Sequence, residues 1–414
     1  LAPRDYLSAF VKIGVVAALA IGILIVLPPL QMPALTRFID GTGPVFAGKL
    51  FPFCFITIAC GAISGFHALI SSGTTPKLLE RESDARFIGY GGMLTESLVA
   101  ILALIAACVL TPGTYFAINA PASAIGTTPE SAALAVQQWG FSLDPEQFKL
   151  LTAQIGETTL LSRTGGAPSL AVGMAHLFSN VLGGTTALGL WYHFAIMFEA
   201  LFILTTLDAG TRVGRFMLQD LLKHVWLPMG RVSWYPAVVL SSAIFVSMWG
   251  YFLYQGVQDP LGGINSLWPL FGIANQLLAT VALCVGTTVI VKMGKARFMW
   301  ITVMPLVWLA VVTMTAGATK LFSADPKLGF LARARLFQGA LDAGTIPKGV
   351  ASAADASKLI FNDYLDAAVT TFFLVSVIVI LAASVHEWWL VVGGRKAAIS
   401  SEVPFEPRVA LAGD

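Results

Sequence analysis

Gly61, Ser64, Gly65 and His67 interrupt an otherwise apolar stretch, and their types and spacing could do chemistry. Backbone that unwinds at membrane depth exposes N–H and C=O groups, which cost several kcal/mol unless protein, water or ligand satisfies them. A helix broken there turns half-helix ends toward a carboxylate or a cation, and an imidazole adds a group that titrates near neutral pH. The four residues are therefore candidates to bind a small solute. The competing reading is a continuous helix in which Gly61 and Gly65, four residues apart, form a small-residue packing face. Just beyond, Ser71, Ser72, Gly73, Thr74, Thr75 and Pro76 read as a helix end, a turn and a new N-cap with Pro at the first helical position.

Ionisable residues inside apolar runs are the second signal: Glu96, His193 and Glu199, with Asp208 near the end of the same run as the latter two. Charges at bilayer depth are rare and usually line a cavity, and a carboxyl withdrawn from water holds its proton more tightly. Glu96 and Glu199 are candidates to carry a proton, with His193 as a third coupling residue. His193 and Glu199 are six apart and share a helix face poorly, so partners would come from other helices. The plain alternative for each is a structural hydrogen bond, and Asp208 reads as an interfacial cap. Asn265, Asn275 and Gln276 occur in NSLWPLFGIANQLLA. Amides at that depth either bind a solute or hold helices together, and Asn275 is the substrate-binding candidate.

Other chemistry lacks support. There is no GxxxxGK[ST] phosphate loop, HExxH zinc motif, GxSxG nucleophile elbow or Gly-rich dinucleotide fingerprint, so no enzyme and no cofactor are expected. Cys54, Cys60, Cys108 and Cys284 show no paired ligand spacing and read as core residues. His176 and His224 fall outside the apolar runs, and His386 stands beside Glu387, Trp388 and Trp389; these resemble interface anchors more than metal ligands. The net charge of +2 gives no field that would favour nucleic acid.

The elements that must position these residues are membrane helices. Of 414 residues, 56% are hydrophobic and 12% charged, against roughly a quarter charged in soluble domains. Mean hydropathy is +0.78. Runs of about 20 apolar residues predict an all-α integral membrane protein with about eight spans. They fall near 7–30, 50–71, 88–110, 184–208, 234–254, 264–291, 298–318 and 364–392. The expected organisation is three spans in 1–110, an extracytoplasmic segment of short helices at 111–183, and spans four to seven at 184–318 with an amphipathic interfacial helix at 212–226. A polar loop at 319–363, a last span at 364–392 and a cytoplasmic tail at 393–414 complete it. Lys and Arg stay on the cytoplasmic side during insertion, which puts the N-terminus inside with Arg4 and Lys12. The segment 319–362 disagrees, because it is assigned outside yet carries Lys320, Lys327, Arg333, Arg335, Lys348 and Lys358.

Four blocks carry a resemblance: GAISGFHALISSGTTPK at 61–77, GETTLLSRTGGAPSLAVGMA at 156–175, LDAGTRVGRFMLQDL at 207–221 and WPLFGIANQLLA at 268–279. In this order the chain resembles the carbon starvation protein A family of bacterial inner-membrane transporters. The resemblance implies proton-coupled import of short peptides or pyruvate; alternating access is the expected route, and sodium, held by Ser64 and neighbouring carbonyls, is the alternative cation. A channel, or a membrane nutrient sensor without active transport, is the competing class. It also implies the second inverted repeat of an amino acid, polyamine and organocation transporter core, beginning with a broken helix at 50–71, plus extra helices. The family's glycine-rich N-terminal membrane segments have no counterpart after Leu1, so a missing N-terminal segment of the same protein is an expected partner.

Overall fold

The computed structural model describes residues 4–258, 263–347, 350 and 352–398, so the expected tail lies outside the described residues from 399 onward. Among the described residues the chain is helical, with no strand. It opens with α1 (Arg4–Val26), α2 (Leu50–Ile58), α3 (Gly65–Gly73), α4 (Thr75–Leu78) and α5 (Asp84–Cys108). Five shorter helices follow: α6 (Pro112–Asn119), α7 (Ala122–Ile125), α8 (Pro129–Gln138), α9 (Pro145–Ile155) and α10 (Ala167–Val181). Then come α11 (Leu188–Leu222), α12 (Tyr235–Gln258), α13 (Gly263–Lys292), α14 (Trp300–Phe322), α15 (Phe330–Asp342) and α16 (Ala353–Val392). The short helices start where the sequence dictates. Thr111, Thr128 and Asp144 each cap a helix through a side-chain oxygen and are followed by Pro, whose missing N–H is no loss in a first turn.

Among the described residues, seven helices are long and apolar enough to cross a membrane: Tyr6–Val26, Asp84–Cys108, Gly184–Leu222, Tyr235–Tyr254, Leu270–Lys292, Trp300–Phe322 and Ala353–Val392. Their outer faces are apolar too, as with the exposed Phe87, Leu94, Ile101 and Leu104 of α5. Water would not tolerate so much exposed hydrocarbon, whereas lipid does. The remaining expected span, 50–71, is not one continuous helix. It is the half-length pair α2 and α3, joined by a 3-10 turn at Ala59–Gly61 and an extended Ser64.

Three boundaries differ from the sequence reading. The span at 184–208 and the separate helix at 212–226 are one 35-residue helix, α11, about 52 Å long. Asp208 and Arg212, an i,i+4 pair at 3.0 Å, stitch the expected junction, and Gly210 lets the Phe66 ring pack against it. The expected polar loop at 319–363 contains α15 and the start of the 40-residue α16. Ser352 caps α16 by accepting the Asp355 N–H at 3.1 Å, so the polar residues ahead of the apolar run are wound into the same helix. At 71–76 the expected new N-cap is present in position only: Thr74 precedes α4 and Pro76 follows, but the Thr74 hydroxyl donates back to Ile70 O at 3.2 Å.

Among the described residues four buried clusters hold the helices, and two of them are large. The first joins α1, α5 through α10 and the early part of α11 around residues such as Leu19, Leu102, Phe148, Met174 and Tyr192. The second joins α2, α13, α14, α15 and α16 around Phe53, Ile273, Leu277, Ala316 and Leu374. The half-helix α3 lies between them, packing on α11 and α13. The basic residues that broke the charge pattern in 319–362 are partly explained by this packing. Lys320 is buried, Arg333 is paired with Asp363, and Lys358 stands 4.0 Å from Asp355.

Candidate functional site

The break between α2 and α3 exists because neighbouring groups satisfy what it exposes. Ser64 is extended and caps α3, its Oγ accepting the His67 N–H at 3.0 Å. Asn275 of α13, 6% exposed, accepts the Phe66 N–H on Oδ1 at 2.9 Å and directs Nδ2 at Ile63 O, 3.5 Å away. Gln276, also buried, donates to Phe55 O at the end of α2. Glycines let the backbones come this close. A Cβ at Gly65 would collide with Asn275 O and Leu278, and one at Gly272 would collide with Ile56 O. The sequence GIANQLLA thus puts Gly272, Asn275, Gln276 and Ala279 on one face of α13, at helical spacing, against both sides of the break. Asn275 is spent on the break itself.

On the break, four side chains form a chain of contacts. Cys60 Sγ lies 2.7 Å from Ser64 Oγ, Ser64 Oγ lies 2.6 Å from His67 Nδ1, and His67 Nε2 lies 3.7 Å from Glu96 Oε2 on α5. Cys60 Sγ is also 3.5 Å from His67 Nδ1. The His67 and Glu96 side chains are 55% and 52% exposed, so the end of the chain is open to a solute or to protons. The contacts fit two proton arrangements: the thiol donates to Ser64 Oγ and the Ser64 hydroxyl to Nδ1, with the imidazole proton on Nε2 facing Glu96, or the reverse, with Nδ1–H donating to Ser64 Oγ and the hydroxyl to Cys60 Sγ.

Of the residues singled out from sequence, the structure brings together Ser64, His67 and Glu96, with Asn275 directly behind them and Gly61 and Gly65 shaping the turn. Glu199 and His193 are elsewhere. Helix α3 meets α11 at Gly210 and Val213, while Glu199 lies about three turns, or roughly 16 Å, further back along α11. His193 is further back still, beside the Gly156 turn. Asp208 pairs with Arg212 within α11.

Sequence reading missed two groups. Cys60 was assigned to the core, although its i,i+4 and i,i+7 spacing to Ser64 and His67 was available as a signal. The second group joins the ends of α14, α15 and α16. The Arg333 Nε donates to both carboxylate oxygens of fully buried Asp363, at 3.0 and 2.9 Å, and Asp366 is buried one turn on. Lys320, 5% exposed, lies among the rings of Phe53, Phe330 and Phe46 at 5.4, 5.7 and 6.0 Å. The motif NDYLDAAV, two carboxylates three apart ahead of an apolar run, was the visible hint.

Residues 1–316 match the family described as carbon starvation protein CstA. The chain is similar to the peptide transporter CstA of Escherichia coli, 56% identical over 379 residues, covering 90% of this chain and 54% of that protein. It is 59% identical over 322 residues to the peptide transporter CstA of Campylobacter jejuni, covering 78% of this chain and 46% of the relative. It is 51% identical over 397 residues to the pyruvate/proton symporter BtsT of Escherichia coli, covering 90% and 55% respectively. The chain spans about half the length of these curated relatives. No solved structure matches it. With the match running from its first residue across the helix break, α11 and α13, this chain belongs to the carbon starvation protein CstA family.

Proposed function

We propose that the chain is part of a secondary transporter that imports a short peptide or pyruvate across the bacterial inner membrane, coupled to proton entry, by alternating access. The observation that carries this reading is the Cys60, Ser64, His67 and Glu96 chain on a broken helix, with one end half-exposed. An imidazole beside a carboxylate can pass a proton and change its charge in doing so. A solute carboxylate would be drawn to His67 in its cationic form and released when the proton moves on to Glu96. The relatives' names, peptide transporter and pyruvate/proton symporter, favour those substrates. Gly61, Ser64, Gly65 and His67 are the substrate residues of this proposal, with Asn275 positioning the break from behind. Glu96 is the first proton carrier, and Glu199 with His193 is a second station on α11.

The position of α3 between two separately cored groups of helices favours alternating access, since relative movement of the groups would reshape the break. We further propose that α2 and α3 begin the second inverted repeat of an amino acid, polyamine and organocation type core.

The test is uptake of labelled pyruvate and of a labelled dipeptide by vesicles containing the complete protein, with and without an imposed proton gradient. Glu96→Gln is expected to abolish accumulation while the protein still inserts. Gradient-driven uptake by Glu96→Gln at the unmodified protein's rate would sink the proton assignment, and accumulation that follows sodium alone would replace the coupling ion.

A further inference from the structure

A cavity away from the helix break has no role in the proposal above. Its volume is about 680 Å³, and its walls come from the 42–47 loop, the α7 and α8 region, and the 320–337 segment. Lys320, Lys327 and Arg333 line it together with Pro44, Phe46 and Trp139.

Lys320 is the informative residue. Its side chain is 95% removed from solvent, with three N–H donors and, among the described residues, no acceptor within hydrogen-bond or ion-pair distance. Phe46, Phe53 and Phe330 offer ring faces that attract the charge but accept little hydrogen bonding. Asp363 and Asp366 act on it only through space, and Asp363 already holds Arg333 on both its oxygens. Burying an ammonium without an acceptor is unfavourable unless something supplies one, and Lys320 lines a cavity large enough for a small ligand. Lys327 stands exposed at the rim, its backbone N–H held by Asp325 at 2.9 Å.

We propose that this cavity binds small organic carboxylates, the carboxylate on Lys320 with Lys327 at the entrance, and the apolar body against Phe46, Pro44 and Trp139. The mixture of cation and aromatic surface suits an amphipathic anion better than an inorganic one. A role for the site in capturing substrate rests on the transport reading above; the binding itself does not.

The experiment is calorimetric titration of the purified full chain in detergent micelles with phenylacetate and with its uncharged amide, phenylacetamide, alongside a thermal melt. The unmodified protein is expected to bind phenylacetate and to bind the amide at least tenfold more weakly. Lys320→Met should weaken phenylacetate binding at least tenfold without lowering the melting temperature, because an apolar side chain of similar length suits that ring cluster. A merely structural lysine would instead give unchanged binding or a lowered melting temperature. Should Lys320→Met fail to fold, Lys327→Gln carries the test, with a roughly threefold loss expected. The inference is overturned by no binding of phenylacetate, by equal binding of the amide, or by affinities of both variants within twofold of the unmodified protein. Lys320-dependent binding by a protein that transports neither pyruvate nor dipeptide would uphold the cavity and sink the transport reading alone. Gradient-driven uptake with no Lys320-dependent binding would do the reverse.

Discussion

Asn275 shows how one side chain can make a local structure permissible. The Phe66 N–H and the Ile63 carbonyl have no intrahelical partner at the break, and both turn to the same amide. Replacing it by Ala leaves the partly buried Phe66 N–H without an acceptor, at a cost of about 1–3 kcal/mol. Asn275→Ala is therefore expected to melt several degrees lower in detergent, while Asn275→Asp, which keeps an acceptor for Phe66, should recover part of the loss. Equal melting of Asn275→Ala and the unmodified protein would contradict this account. Sequence alone gave Asn275 as either a solute ligand or a helix tie, because nothing in a linear pattern says which backbone an amide faces. Ser64 and His67 were legible as candidates for the opposite reason: polar side chains inside an apolar run have few neutral explanations. Cys60 was invisible, since a thiol beside apolar residues looks like any core cysteine, and only the folded turn puts it 2.7 Å from Ser64.

At the scale of the element, the packing of α13 against the broken pair sets a strict size limit at one of its glycines and none at another. A Cβ at Gly272 would collide with Ile56 O, whereas one at Gly286, on the same helix, meets nothing within 4 Å. Gly272→Ala should therefore destabilise the protein by about 1–3 kcal/mol through overpacking. Gly286→Ala should be neutral or slightly stabilising, because Ala is the better helix former by up to about 1 kcal/mol. Thermal melts of both variants check the pair, and the ranking reversed would remove the close-approach argument. The break itself was readable from glycine and serine spacing, and so was the presence of short helices within 111–183, though not their capped starts. What was not readable was continuity: α11 reads as two helices because its hydropathy changes near Asp208, yet no proline occurs there, Gly210 is tolerated within the helix, and the Asp208–Arg212 pair bridges the change. Hydropathy tracks solvent, and a helix can pass from lipid into water without ending.

For the molecule as a whole, two groups of charged side chains belong to the segments that sequence assigns to opposite ends. Lys149 on α9 pairs with Glu130 at 2.6 Å and Glu146 at 2.9 Å, in the segment that sequence placed outside. The Lys149 ammonium is held well above its usual range by those two carboxylates, and Glu130 is correspondingly lowered. At the other expected side, Glu387 of α16 meets Lys292 of α13 at 3.4 Å and Lys396 at 2.7 Å. With every native cysteine first replaced by Ser or Ala, Lys149→Cys should react with a membrane-impermeant thiol reagent in whole cells from outside. Lys223→Cys, beyond the end of α11, should react only after the membrane is opened. Labelling of both from the same side would overturn the orientation read from the positive charges.

Helix α16 joins these ends without interruption. Near its start it is fastened to α15 through Asp363 and Arg333, and near its finish to α13 through Glu387 and Lys292, with Trp388 Nε1 donating to Thr288 at 2.8 Å. Forty residues of α-helix make a rod about 60 Å long, so a tilt of about 5° at one fastening carries the far end sideways by about 5 Å. The rod leaves little room for the two ends of the molecule to change shape independently: a ligand that shifts α15 pulls, by simple leverage, on the ion pairs at the opposite surface.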